Sequence, residues 1–235
     1  MFPRFTFVIG TVVAVSSFGL SATSSAASVT TSSVLAAAKA AILKQSSVHL
    51  TLTKTTGTST SETIVSDSGT KVGNQTISAG KATAAVRVTT AYAYVSGNSS
   101  GLTTILGLSS AEAKKVGKDW ISLKSGTSQF TDFRSDVEVS SVTEELPPAS
   151  GTKLSTAVVG GTKVFVLSWT TAATSSTPKV SNTFTFAANG ATLPIKEVAT
   201  TSSGKETITY SKWNERVSVS APPSGSTISY AKVFG

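Results

Sequence analysis

From Val48 to Ser220 the chain keeps alternating apolar and hydroxyl side chains in runs too short for helices, broken by glycine-centred turns. That rhythm is the feature that most restricts its fold. In the first run Val48, Leu50 and Leu52 point one way and His49, Thr51 and Thr53 the other, as in a strand with one face buried. Similar runs follow at Glu62 to Ser66, Asn74 to Ser78, Thr83 to Thr89 and Tyr92 to Val95, then at Lys153 to Val159, Lys163 to Trp169, Val180 to Ala187, Leu193 to Thr200, Thr207 to Trp213 and Val217 to Ser220. Gly160-Gly161 and Asn189-Gly190 have the composition of tight hairpin turns, so neighbouring runs should pair antiparallel. With 235 residues and 14% of them charged, the chain suits one β-rich domain with a hydroxyl-covered outer surface.

Two stretches break the rhythm. Thr31 to Gln45 reads as a helix, with cap candidates at Thr31 to Ser33 and an apolar stripe of Val34, Leu35, Ala38, Ala41 and Ile42. Ala91 to Leu123 reads as strand, helix, strand: Tyr92, Tyr94 and Val95 stop at Gly97-Asn98, and Leu102, Ile105, Leu106 and Leu108 crowd one side at helical spacing. Ser109 and Ser110 ahead of Glu112 offer a second helix start, Gly117 a stop, and Asp119 to Leu123 alternate again. The middle of this stretch is expected to be an apolar flap over the sheet. Gln129 to Leu146 stays open between strand and short irregular helix, with Pro147-Pro148 ending it.

Ahead of the domain, Met1 to Ala27 reads as a secretory signal peptide, with Arg4 as the positive region, Phe5 to Leu20 as the apolar region and Ser25-Ala26-Ala27 leading to cleavage. The apolar run is short and broken by Gly10, Thr11, Ser16 and Ser17, whereas a permanent span needs about 20 apolar residues. The expected mature domain covers residues 28–235. Leu20-Ser21-Ala22-Thr23 looks like a lipobox with Thr23 where the lipid-bearing cysteine would stand, so a secreted, unanchored product is expected.

Chemistry is sparse. The chain has no cysteine and one histidine, which excludes disulfides, thiolate metal sites and a cysteine nucleophile. His49 falls on the hydroxyl-rich face, no Gly-x-Ser-x-Gly elbow occurs, and Glu144-Glu145 reads as solvated charge beside the proline stop. No catalytic residue, metal site or cofactor is expected. The formal charge of +8 is spread thinly, clustering at Lys115 to Lys118, and base-stacking motifs are missing, so nucleic acid is not an expected partner. The charge suits loose attraction to an anionic membrane or cell-wall surface.

The order of motifs carries a resemblance. Ala93-Tyr94-Val95-Ser96-Gly97-Asn98, Leu102, Gly107-Leu108-Ser109, Ala111-Glu112-Ala113 and Gly117-Lys118-Asp119-Trp120-Ile121-Ser122 form one series. Leu193-Pro194-Ile195, Tyr210-Ser211-Lys212-Trp213-Asn214 and Val217-Ser218-Val219-Ser220-Ala221-Pro222 form a second. Together they resemble actinobacterial envelope lipoproteins of the LolA-like superfamily, of the LppX/LprG type, over nearly the whole mature chain. The resemblance implies an α+β, mostly β fold: a curved antiparallel half-barrel of about eleven strands with a few helices in its concave side. It also implies noncatalytic binding or transfer of a lipid, glycolipid or lipidated molecule by a monomer outside the cytoplasm. From alternation, the expected cavity lining is Leu35, Leu50, Leu52, Val86, Tyr94, Leu102, Ile105, Leu106, Trp120, Phe165 and Phe184. The alternative is a structural or protein-binding envelope module on the same scaffold with a closed core.

Overall fold

The computed structural model describes residues 29–174 and 177–235, so the expected signal peptide lies outside the described residues. Its centre is a twelve-stranded sheet, curved and unclosed. The first six strands form a meander: β1 (Ser47–Thr56), β2 (Ser59–Gly69), β3 (Gly73–Ala79), β4 (Ala82–Val88), β5 (Tyr92–Gly97) and β6 (Trp120–Lys124). A second meander comprises β7 (Lys153–Val159), β8 (Thr162–Thr171), β9 (Val180–Ala187), β10 (Pro194–Thr200) and β11 (Gly204–Ser211). The two join where β11 pairs antiparallel with β1, from His49 opposite Ser211 to Thr56 opposite Gly204. β7 is one edge of the sheet, and the short β12 (Thr227–Ser229), parallel to β6, is the other.

The helices lie outside the ladder. α1 (Thr31–Ile42) precedes β1 and starts in a capping box: the Thr30 hydroxyl accepts from the Ser33 amide at 3.1 Å and the Ser33 hydroxyl from the Thr30 amide at 2.9 Å. Its cap is thus one residue earlier than the composition suggested. The flap between β5 and β6 is a π-helical turn (Gly101–Ile105) followed by α2 (Ser110–Val116). Ser109 and Glu112 form the second capping box, and Gly117 ends the helix at φ 58°. Residues 129–146 resolve into most of α3 (Ser128–Ser135) and a 3-10 turn (Val139–Thr143), with Val137, Val139 and Val142 all buried. A last helix, α4 (Tyr230–Phe234), follows β12.

Residues 217–220 were expected to form a strand and do not. They belong to an extended strap that leaves β11, crosses the outer face of the sheet and delivers β12 to β6. Its start is fastened to the head of β1: the Asn214 amide donates to the Ser47 carbonyl at 3.1 Å, the Ser46 amide to Asn214 Oδ1 at 2.8 Å, and the Ser47 hydroxyl to the Glu215 carbonyl. Lys212 and Asn214 hold φ of 52° and 65° there, a left-handed backbone that the surrounding hydrogen bonds maintain.

Candidate functional site

Cross-strand register fixes which side chains share a face, because directly opposed residues point the same way. One row crosses eight strands as Leu167, Phe184, Glu197, Ile208, Leu52, Ile64, Ile77 and Ala84, from β8 to β4. The next runs from Tyr210 through Leu50, Ser66, Gln75, Val86, Val95 and Ile121 to Ile228. This inner face and the helices form one core: Val34, Ala38 and Ile42 of α1, Phe130 and Phe133 of α3, and Leu102, Ile105 and Leu106 of the flap are buried with it.

Of the expected lining residues, Leu50, Leu52, Val86, Phe165 and Phe184 stand on this inner face. Leu102, Ile105 and Leu106 meet it from the flap, and Leu35 of α1 is half-buried against the same core. Tyr94 and Trp120 do not belong with them. Tyr94 opposes Arg87 and Ser122, and Trp120 alternates with the inward Ile121, so both sit on the outer face, where the Arg87 guanidinium lies 4.5 Å from the Trp120 ring centre. Ring size suggested an inward position. The strands instead turn their smaller Ala93, Val95 and Ile121 inward, where α3 and the flap come close.

Asn98 anchors the flap: its side-chain oxygen accepts from the Gly101 amide at 2.7 Å and the Thr83 amide at 3.2 Å, and its amide nitrogen donates to the Lys81 carbonyl at 2.8 Å. Gly101 permits this approach, since a Cβ there would fall 1.8 Å from the Thr83 carbonyl oxygen.

The inner face also carries a polar cluster that sequence reasoning missed. Glu197 is 2% exposed in the middle of the apolar row, with Ile208 on one side and Phe184 on the other. The Tyr210 hydroxyl donates to its Oε2 at 3.5 Å, and among the described residues its Oε1 has no hydrogen-bond partner. The adjacent row is Trp169, Asn182, Ala199, Glu206, Lys54 and Glu62, in which Lys54 Nζ stands 3.5 Å from both Glu62 and Glu206. Glu145, from the segment after the 3-10 turn, adds a fourth carboxyl close enough for its charge to oppose those of Glu197 and Glu206.

Burial, then the neighbouring Glu206 and Glu144, pushes Glu145 up to about 8. Burial, then Glu145 and Glu206, pushes Glu197 to about 8 as well. Burial raises Glu206 too, opposed by Lys54. Both of the strongly shifted carboxyls are therefore biased towards the protonated form. Glu145 is not the solvated charge that its place beside Pro147-Pro148 suggested. The segment folds it back over β10 and β11, a long-range placement that local composition does not encode.

On the outer face, His49 Nδ1 meets Asp67 Oδ1 at 2.6 Å, and Asn74 Nδ2 donates to Asp67 Oδ2 at 3.3 Å. The pair borders a pocket of about 320 Å³ beneath the strap, beside Lys212, Glu215 and Arg216. A second pocket of about 380 Å³ continues along the strap past Asn74, Thr76, Arg87 and Ser218. Among the described residues, no three His, Asp or Glu side chains gather as a metal site.

No known protein-family model matches the chain, and no curated protein matches it by sequence. Among solved structures, it is similar to lipoprotein LppX of Mycobacterium tuberculosis at 17% identity and a TM-score of 0.48, over 80% of this chain and 99% of that one. It is similar to LprF of Mycobacterium bovis at 14% identity and a TM-score of 0.49, over 82% and 96% of the two chains. A LolA-superfamily protein of Nitrosomonas europaea aligns at 14% identity and a TM-score of 0.32, over 81% and 95%.

Proposed function

We propose that the mature chain is a noncatalytic extracytoplasmic carrier for an amphiphile, a lipid, glycolipid or lipidated molecule whose apolar part lies between the helices and the inner face of the sheet. The observation that carries this reading is the cover of that face. A largely apolar surface is closed by short helices and turns that contribute no long strand to the sheet. The ties of this cover to the ladder are local, a bridge between Gly69 and Glu138 and the Asn98 hydrogen bonds to Thr83 and Lys81, so the cover can move while the strand pairing stays whole. Inner-face Leu50, Leu52, Val86, Phe165 and Phe184, with Leu35, Leu102, Ile105 and Leu106 above them, are the proposed lining. The sequence adds the expected signal peptide and, through Thr23 in place of a lipid-bearing cysteine, release without an anchor.

Native mass spectrometry of the mature protein from its own cell envelope, followed by titration with a fatty alcohol, tests the proposal. A mass excess released by organic extraction and saturable uptake of the alcohol are expected. A protein that comes empty and takes up no amphiphile would overturn it.

A specific observation favours a second reading, the closed-core envelope module. β7 is an open edge strand on which Val158 and Val159 are 71% and 58% exposed, a surface suited to strand addition by another protein. Cross-linking in intact envelopes through a reactive residue placed at Val158 distinguishes the two: this module gives one discrete adduct, whereas a monomeric carrier gives none.

A further inference from the structure

Besides Ser66, Ser68 and Gln75 towards one end, the polar side chains of the inner face gather at the opposite end, where acceptor oxygens outnumber donors. Glu145, Glu197, Glu206 and Glu62 supply four carboxyls, and Lys54 is the cation among them. The cluster runs from the Lys54 side chain, 44% exposed near the β1–β2 turn, inward to Glu197 at 2%. Among the described residues, two buried oxygens on this face have no hydrogen-bond partner. One is Glu197 Oε1; the other is Oδ1 of Asn182, 3% exposed, which shares its row with Glu206 and lies one row from Glu197.

An unpaired buried oxygen leaves its desolvation uncompensated, and a donor from a ligand would compensate it. The Asn182 side chain donates through Nδ2 to Thr171 Oγ1 at 3.4 Å, so its free valence is an acceptor. The charge balance points the same way. Four carboxyls face one lysine, and in the ligand-free protein the surplus is relieved by protonation of Glu145 and Glu197.

We infer that this cluster receives the head of the carried amphiphile and selects a head bearing a protonated amine over hydroxyl or phosphate heads. The inference rests on the carrier reading above and deepens it. An ammonium supplies up to three donors for the oxygens of Glu197, Asn182 and Glu206, and its charge takes the place of the proton on a carboxyl. A phosphate would face the four carboxyls and gain only Lys54. A hydroxyl would satisfy one orphan oxygen and leave the charge balance unchanged. The groups that face the head are Glu62 from β2, Lys54 from β1, Glu206 and Tyr210 from β11, Glu197 from β10, and Glu144 and Glu145 from the segment after the 3-10 turn. Binding of an ammonium with ionisation of one carboxyl releases one proton, so affinity for the amine should rise about tenfold per pH unit below the point at which that carboxyl ionises unaided.

The test titrates the mature protein with hexadecylamine, hexadecanol and hexadecyl phosphate, which share one chain. The amine is expected to bind roughly tenfold or more tighter than the alcohol, with the advantage growing between about pH 6 and about pH 8 and a proton released into the buffer. Glu197→Gln should bring the amine-to-alcohol ratio towards one. Glu206→Gln, at the half-buried mouth, should lower it too and serves if the first variant folds poorly. Asp119→Asn, at the head of β6, should keep the ratio. Equal affinity for all three probes, preference for the phosphate, or a ratio insensitive to both glutamine variants would overturn the amine inference and leave the carrier reading standing. Failure of every probe to bind would overturn both.

Discussion

Glu197 sits among apolar neighbours and keeps a proton that the unfolded chain would release, which links its protonation to folding. A carboxyl whose folded value lies above its unfolded one contributes stability that is fully present below the unfolded value and lost as pH rises through the folded value. For Glu145 and Glu197 that window runs from the ordinary 4.5 to about 8. Thermal melts should therefore show stability falling across this window and levelling above it. Glu197→Gln should melt close to the parent near the bottom of the window and higher than the parent above its top, by roughly 1.4 kcal/mol for every tenfold change in proton affinity that burial imposes on the parent carboxyl. A variant that melts lower at every pH would show that Glu197 is ionised and paired. The sequence concealed this residue for a local reason. The pairing of β10 with β9 slips between Pro194 and Lys196, so Ile195, an apolar residue, ends 37% exposed while Glu197 turns inward. His49 was the reverse case. Its outward position followed from alternation, whereas its partner Asp67, 18 residues away, is found only once β1 and β2 are in register.

Among the elements, the flap was the most legible. Its apolar spacing, the Ser109 and Glu112 box and the Gly117 stop all describe what forms, and π-helical winding of the first turn is the detail that composition lacks. Two substitutions probe its seat. Gly101→Ala would push a methyl group into the Thr83 carbonyl and should cost about 1–3 kcal/mol in urea unfolding, as overpacked sites do. Leu106→Asp, at a position 1% exposed, would bury an unpaired carboxylate and should cost several kcal/mol or abolish folding. A near-normal urea midpoint for Leu106→Asp would mean that the flap stands off the sheet in solution. The strap and the final β12–α4 unit were not legible. Val217 to Ser220 alternate like a strand but meet the outer face broadside, and β12 is three residues long, too short to leave a periodic trace.

At the scale of the molecule, alternation and glycine turns predicted a β-rich domain of antiparallel hairpins, because both signals are local, while one curved sheet with helices on its concave side was implied only by the resemblance. How the two meanders join was not readable, since β1 and β11 are far apart in the chain, with Thr56 opposite Gly204 and His49 opposite Ser211. The outer edges differ as well. β12 is followed directly by α4, which packs against β6, while β7 ends the sheet uncovered. Val158→Lys should leave the melting temperature within the small range typical of surface changes and should reduce self-association at high concentration, measured by sedimentation. An unchanged sedimentation profile in a parent that does self-associate would place the contact elsewhere.

The seam between β1 and β11 also sets an order in time. The first strand to leave a ribosome or a translocation pore acquires one neighbour, β2, almost at once, but its other neighbour is among the last to emerge. Until β11 arrives, β1 is a raw border of an incomplete sheet, and Leu52 lacks Ile208 beside it. A chain wired this way cannot close its sheet until nearly all of its strands have emerged, so the last-made strands decide when the fold is complete.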